Sequence, residues 1–178
     1  RATRMANQML ALAKVEQLRD QAQASATRLN AVVREVALDL APLIAEQGIE
    51  FDIDTDPTWV QAHEWMISEL TRNLLHNAIK HTPRGGRLQV KVQVDASSQG
   101  LLRVSNDGPV ISDSQRERLF QPFAAMGGQM GAGLGLAICR SIVDALDGRI
   151  DVLNRDTGDD APGGVDVLVW FPLSPDRP

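Results

Sequence analysis

The sequence is poor in residues that form covalent or metal cross-links. It has one cysteine, Cys139, so no internal disulfide can form, and a cytosolic setting is the simplest interpretation. Its three histidines and single cysteine make no metal-binding spacing. The formal charge of −5 gives no electrostatic basis for binding nucleic acid or an anionic membrane. No apolar run approaches the roughly 20 residues that cross a bilayer, so we expect no direct membrane contact.

One segment that is present combines alternating glycines with an apolar run. Glycine occupies every second position from Gly131 to Gly135, and the residues that follow predict a helix. Backbone N–H groups in such a turn can approach a phosphate, with the helix N-terminus behind them. Leu136 stands where the dinucleotide-binding pattern has glycine, and no Lys-Ser/Thr pair follows as in a P-loop. Taken alone, the segment fits an ordinary flexible turn equally well.

A second segment predicts a helix that ends before Pro83. Its polar residues are spaced four, four and three apart and therefore share one face, opposite an apolar side. These residues are Glu69, Asn73, Asn77 and Lys80. Asparagine is a poor helix former, so two stacked carboxamides suggest oxygen ligands aimed at a bound group. Mg²⁺ fits because it prefers hard oxygens and shares substrate phosphates, to which Lys80 would add a positive charge.

The remaining periodicity alternates helices and strands. Paired strands with helices between them predict an α+β fold, a two-layer α/β sandwich with one mixed sheet and helices on one face. One long bundle-type helix precedes it, with an apolar seam formed by Ala2, Met5, Met9 and Leu12. Packing of this helix on its own domain is the alternative. No flexible linker is expected, except near residues 21–27.

Four motifs in this order resemble the ATP-binding domain of bacterial sensor histidine kinases, within the GHKL ATPase superfamily. They are the helix with Asn73, Asn77 and Lys80, then residues 104–111, 119–123 and 131–139. The resemblance implies a GHKL (Bergerat-type) fold, with residues 28–174 as the ATP-binding catalytic domain. Residues 1–24 would be the second helix of a dimerisation and phosphoacceptor hairpin. A start at Arg1 would then lie within a longer protein.

The resemblance also implies an activity, a site and partners. The family transfers the γ-phosphate of ATP, with Mg²⁺, to a histidine on a dimerisation helix and then to a response-regulator aspartate. We therefore expect a protein histidine kinase that acts as a homodimer through its N-terminal helix, with a receiver domain as partner, in the cytoplasmic part of a bacterial inner-membrane protein. The acceptor histidine itself is missing from this chain.

The resemblance also implies which residues form the site. The implied catalytic residues are Glu69, Asn73 and Lys80, and the implied metal ligands are Asn77 and Asn73. The implied nucleotide contacts are Asn73, Asn77, Lys80, His81, Asn106, Gly108, Phe123, Gly131, Gly133, Leu134 and Gly135.

Three departures from the family pattern leave alternatives open. Asn106 stands where the family has an aspartate that binds the adenine amino group, which predicts a penalty of about 1 kcal/mol, or roughly five- to tenfold in affinity. Val110 replaces a glycine that is usual in the family, and residues 121–130 carry no charge. Asp107 is expected to cap the turn. A degenerate nucleotide-binding or dimerisation module without kinase activity is therefore an alternative. A GHKL serine kinase of the anti-sigma type suits the site but not the bundle-like helix.

Overall fold

The computed structural model describes residues 2–21, 24–121, 135–155 and 163–176. The helices are α1 (Ala2–Gln21), α2 (Leu29–Glu46), α3 (Glu64–His81), α4 (Asp113–Arg118) and α5 (Gly135–Ala145). The strands are β1 (Ser25–Arg28), β2 (Glu50–Thr55), β3 (Trp59–Ala62), β4 (Arg87–Val94), β5 (Gly100–Asp107), β6 (Arg149–Arg155) and β7 (Gly164–Phe171). No helix within these ranges is both long and apolar enough to cross a membrane.

Five strands form the main sheet, in the order β2–β4–β5–β7–β6. The β2–β4 pair is parallel and the other three pairs are antiparallel. The mixed sheet and its two hairpins, β4–β5 and β6–β7, are therefore as predicted. In the β6–β7 hairpin, each strand extends beyond its apolar residues. The backbone pairing of the two strands continues to Arg155 on β6 and to Gly164 on β7.

A second sheet of two strands, β1 and β3, was not predicted. Strand β1 overlaps the one stretch, near residues 21–27, where the sequence allowed a flexible linker, and residues 25–27 form strand instead. Ser25 pairs with Ala62, and the Thr27 hydroxyl donates a hydrogen bond to the Ala62 carbonyl at 2.9 Å. A four-residue polar strand has no periodic signal of its own, so only its tertiary partner stabilises it.

The side chains of the main sheet alternate between a covered and an open face. On β4, Leu88, Val90 and Val92 are buried beneath the helices, whereas Arg87 and Gln89 lie on the open face. Helix α3 packs between α2 and α5 and against β5, and the core fills the space between helices and sheet. The predicted two-layer α+β sandwich with helices on one face is confirmed.

Helix α1 packs against α5 through a face that includes Leu12 of the predicted seam but not Met9. Ala11 and Val15 are buried, while Met9 and Leu10 remain exposed. The Lys14 ammonium also lies 4.2 Å from the centre of the Trp65 ring on α3. The structure therefore shows α1 packed on its own domain, and the exposed apolar positions leave its predicted role in dimerisation a prediction.

Candidate functional site

The polar face of α3 is as the sequence predicts. Glu69, Asn73 and Asn77 are half-buried, and Lys80 and His81 are exposed in the last turn. The apolar residues on the other side are buried in the core: Ile67, Leu70, Leu74, Leu75 and Ala78. The helix ends at His81 because Thr82 closes the last turn on the Ala78 carbonyl and Pro83 follows. The carboxamides are thereby held on a rigid element at the edge of the core.

Asn73 faces the start of α5. Its Nδ2 donates to the Glu69 carbonyl at 2.8 Å and lies 3.4 Å from Glu69 Oε1. The amide nitrogen is thus engaged, and Oδ1 is turned toward Gly135: a Cβ on that residue would lie 3.3 Å from the oxygen. Gly135, the first residue of α5, and Asn73, in the middle of α3, therefore lie side by side although they are distant in the sequence. Asn73 therefore offers a hard oxygen ligand next to the N-terminus of a helix, which favours anions.

Asn106 and Gly108 bring the end of β5 to the last residue of α3. Gly108 has φ of +146°, and a Cβ there would lie 2.5 Å from the His81 carbonyl oxygen. Asn106 is only 6% exposed and shares the helix-facing side of β5 with Leu102 and Val104. Its carboxamide lies beside Gly108, near the end of α3. The site therefore extends from Gly135 at one end of the polar face of α3 to Asn106 at the other.

The charges around the site are unevenly distributed. Two arginines on α3 and α5, Arg72 and Arg140, pair with Asp39 at 3.1 Å and with Asp144 at 3.5 Å, respectively. Their ion pairs hold them away from the carboxamides, so among these cations of the described helices Lys80 is the candidate for a phosphate contact. Partial burial, and then the neighbouring Lys80 ammonium, lower the pKa of His81. The imidazole is consequently neutral at physiological pH, and a neutral ring can pack against an apolar or aromatic group.

Cys139 lies behind the site and takes no direct part in it. The thiol is fully buried in α5, and it contacts the Leu70 carbonyl at 3.8 Å. Burial raises the pKa of Cys139, and the nearby Glu69 carboxylate raises it further. The residue therefore stays a neutral thiol and acts as a small apolar side chain, as predicted.

An ion pair that the sequence did not predict joins Asp107, at the end of β5, to Arg155, at the end of β6. Asp107 was expected to cap a turn, but its Oδ1 lies 3.0 Å from Arg155 Nη2 and its Oδ2 accepts the Arg87 backbone N–H at 3.0 Å. Arg155 also donates to the Asn106 carbonyl at 3.2 Å. The two partners are 48 residues apart, and no local pattern signals such a pairing.

The remaining predicted contacts lie outside the described residues. They are Phe123, Gly131, Gly133 and Leu134, and they stay predictions. In the parts of the chain that are described, no group of three or more histidine, cysteine, aspartate and glutamate side chains could hold a metal ion. A metal at this site would therefore depend on carboxamide oxygens, water and the ligand's own phosphates, a set that suits Mg²⁺.

Comparison with known proteins supplies a family for this arrangement. Residues 63–175 match the model of a family described as histidine kinase-, DNA gyrase B-, and HSP90-like ATPase. The chain is 34% identical over 161 residues to the sensor histidine kinase AruS of Pseudomonas aeruginosa, across 84% of this chain and 16% of AruS. It is 36% identical over 161 residues to the signal transduction histidine-protein kinase BaeS of Escherichia coli, across 80% of this chain and 33% of BaeS.

A solved structure extends the similarity to three dimensions. The catalytic domain of the histidine kinase ThkA, in a nucleotide-free form, superposes with a TM-score of 0.75 at 31% identity. The superposition covers 86% of this chain and 97% of that domain. The chain spans only 16% and 33% of the two curated relatives named above, but nearly all of this one domain. The resemblance seen in the sequence motifs is confirmed, whereas the comparisons give no support to the alternatives of a degenerate module or an anti-sigma-type serine kinase.

Proposed function

The chain belongs to the histidine kinase-, DNA gyrase B- and HSP90-like ATPase family, and we propose that it serves as the ATP-binding catalytic domain of a sensor histidine kinase. It would transfer the γ-phosphate of ATP to a histidine on a dimerisation helix. One observation carries the proposal: Gly135 lies against the Asn73 side-chain oxygen, and Gly108 lies against the His81 backbone carbonyl. Two glycines from separate parts of the sequence thus lie along α3, beside the helix that carries the carboxamide and basic side chains.

The nucleotide would lie along the polar face of α3. In this arrangement Asn106 binds the base, His81 and Gly108 flank it, and the triphosphate extends toward Gly135. Lys80 supplies a positive charge to the phosphates, whose developing charge in the transition state is the main target for stabilisation. The residues proposed to complete this site are Phe123, Gly131, Gly133 and Leu134.

Asn73 and Asn77 would hold a magnesium ion through their side-chain oxygens. The fit rests on Asn73, whose Nδ2 donates a hydrogen bond to the Glu69 backbone carbonyl. Its Oδ1 is therefore turned toward Gly135, where the triphosphate would lie. When bound, Mg²⁺ neutralises phosphate charge and fixes the orientation of the phosphate chain. Glu69, which Asn73 Nδ2 contacts through its carboxylate, would polarise an incoming histidine; that histidine would be the nucleophile, in place of the water of a hydrolytic ATPase.

The rest of the proposal concerns the larger protein. Two relatives are named as a sensor histidine kinase and a signal transduction histidine-protein kinase. We propose that this chain is the cytoplasmic part of a membrane sensor, and that a response-regulator receiver domain takes the phosphate onward. Met9 and Leu10 are exposed apolar residues on α1, and they support a homodimer formed through that helix.

Phosphotransfer tests the proposed activity. The chain would be extended along its own gene until a helix with a candidate acceptor histidine is included, and incubated with Mg²⁺ and γ-labelled ATP. We expect acid-labile, base-stable label on that histidine, and loss of the label in Asn77→Ala. Gln17→Ala, which truncates an exposed carboxamide on α1, is the matched control and should keep the label.

The opposite result would be an extended protein that binds Mg-ATP and carries an accessible histidine, yet forms no phosphohistidine. This result would exclude kinase activity and indicate a nucleotide-binding module instead.

A further inference from the structure

Four residues form a clamp at the end of β5: the Arg155 and Asp107 side chains on the open face of the sheet, Gly164 between them, and the backbone carbonyl of Asn106. Arg155 Nη2 lies 3.0 Å from Asp107 Oδ1 and donates to the Asn106 carbonyl at 3.2 Å. The Asp107 side chain is 13% exposed and that of Arg155 is 31% exposed, so the pair is shielded from water more than a surface ion pair is. We name Arg155, Asp107, Gly164 and Asn106 the β5 clamp.

Gly164 makes the clamp possible. It lies on β7, between Arg155 of β6 and Asp107 of β5, and it pairs with both in the sheet register. A Cβ at Gly164 would overlap Arg155 Nη2 and the Asn106 carbonyl oxygen. The missing side chain therefore opens the path by which an arginine on one strand crosses its neighbour to reach the next.

The clamp fixes the orientation of the Asn106 carboxamide. Asn106 Nδ2 donates to the Asp107 carbonyl at 3.1 Å. A carbonyl oxygen can only accept, so the group that faces it must be the NH₂, and the orientation follows from the chemistry of the neighbour. Arg155 donates to one Asp107 carboxylate oxygen, and the Arg87 backbone N–H donates to the other. Because both oxygens are engaged, Asp107 is held in place, and its backbone carbonyl stays beside Asn106 Nδ2. The hydrogen bond engages Nδ2, so Oδ1 is the carboxamide atom that would accept a hydrogen bond from a bound base.

We propose that Arg155 is a positioning residue for base selection: through the β5 clamp it locks Asn106 with its oxygen toward the ligand, so the site selects a base that donates an amino group. This inference rests on the proposed function, in which Asn106 binds the base. A carboxylate can only accept, but a free carboxamide can turn and donate instead. If the Asn106 carboxamide were free to turn, it would bind adenine, which presents an amino group, and hypoxanthine, which presents a carbonyl, almost equally. When the clamp fixes its orientation, the carbonyl of hypoxanthine lies against another hydrogen-bond acceptor.

Calorimetric titration of the whole chain with three Mg²⁺-loaded probes tests the inference. The probes are ADP, IDP and inorganic tripolyphosphate, which has no base. We expect the wild type to bind ADP at least about tenfold more tightly than IDP, the value of one good hydrogen bond. In Arg155→Met the ratio should fall toward one while the affinity for tripolyphosphate stays unchanged.

Two further variants separate positioning from simple structural damage. Arg155→Lys keeps a cation for Asp107 and should restore much of the preference for ADP. Arg149→Met is the matched control: Arg149 lies at the other end of β6, stacked 4.0 Å over the Trp170 ring, and its loss should leave the ratio unchanged. If Arg155→Met fails to fold, Asp107→Asn carries the same prediction, because it removes the charge that holds Arg155.

Each outcome decides the matter. A wild type that binds ADP and IDP equally, or an Arg155→Met variant that keeps the full ratio, overturns the inference and leaves the proposed function standing. A wild type that binds none of the three probes overturns both.

Discussion

The two faces of the main sheet have opposite compositions, although they are built from the same strands. On the covered face, Val90, Leu102 and Val169 are fully buried against the helices. On the open face, Arg103, Asp107, Asp166 and Arg155 form a chain of ion pairs across β5, β7 and β6. The apolar face determines stability, because burial removes a large apolar area from water. The ionic face determines local geometry, and it orients the strand end that carries Asn106.

The largest expected effect belongs to the covered face. Leu70 is fully buried between α3 and α5, and Leu70→Ala should lower the free energy of unfolding by about 2–5 kcal/mol through lost burial and a residual cavity. Asn77→Ala, on the polar side of the same helix, should change it by less than about 1 kcal/mol. Urea denaturation measures both. Equal losses in the two variants would mean that the polar face is a structural element rather than a binding surface.

A smaller effect is expected within the open face. Arg103→Met removes the partner 2.8 Å from Asp166, whose side chain is 10% exposed, and we expect a loss of about 1–2 kcal/mol. This value is reduced from that of a fully buried pair because the Arg103 side chain is 43% exposed. Arg87→Met is the control, since Arg87 and Glu50 are 80% and 68% exposed and should contribute about 0–0.5 kcal/mol. A double-mutant cycle with Asp166→Asn would attribute the loss to the pair, and a cycle that shows no coupling would contradict that assignment.

Thiol labelling provides a kinetic comparison of the two faces. Cys139 lies in the core of the helix layer, and its pKa is raised by burial and then by Glu69. Because the thiolate is the reactive form, an alkylating reagent at pH 8 should leave the folded chain unmodified while it labels the chain unfolded in urea. A cysteine introduced by Gln89→Cys on the open face should react rapidly in the folded protein. Rapid native labelling of Cys139 would show that α5 separates from α3.

The smallest effect concerns pH. The pKa of His81 is lowered by partial burial and then by Lys80, so the unfolded chain binds more protons than the folded chain below a pH of about 6.5. Stability should therefore fall as the pH drops below that value. His81→Gln should flatten the decline, which thermal melts between pH 7.5 and 5.5 would show. An unchanged slope in the variant would assign the decline to other groups.

Parts of this molecule with a repeating pattern could be predicted from the sequence. The polar face of α3 follows from residues three and four apart, and the strands of the main sheet follow from alternation, as at Leu88, Val90 and Val92. The α3 contact with Gly135 could be inferred only by resemblance, because motifs on different elements say nothing about their distance. Strand β1 was missed because four mostly polar residues have no periodicity.

The β5 clamp lies beyond prediction from a single sequence for a different reason. It depends on the register of three strands, in which Gly164 pairs with both Asp107 and Arg155. A one-residue slip would place Arg155 on the opposite face and destroy the contact. The register of these strands is set by the packing of the whole covered face, so no local motif predicts it.

We propose that the carboxamides of α3 bind a magnesium–nucleotide complex. Calorimetric titration of Mg-ADP into the wild type and into the double variant Asn73→Ala/Asn77→Ala tests this, with circular dichroism to verify the fold and Gln17→Ala as the control. We expect saturable binding in the wild type and the control, weakened by chelation of the metal, and a loss of at least about a hundredfold in affinity in the double variant, the value of two good ligand contacts. A double variant that folds normally and binds Mg-ADP as tightly as the wild type would contradict it.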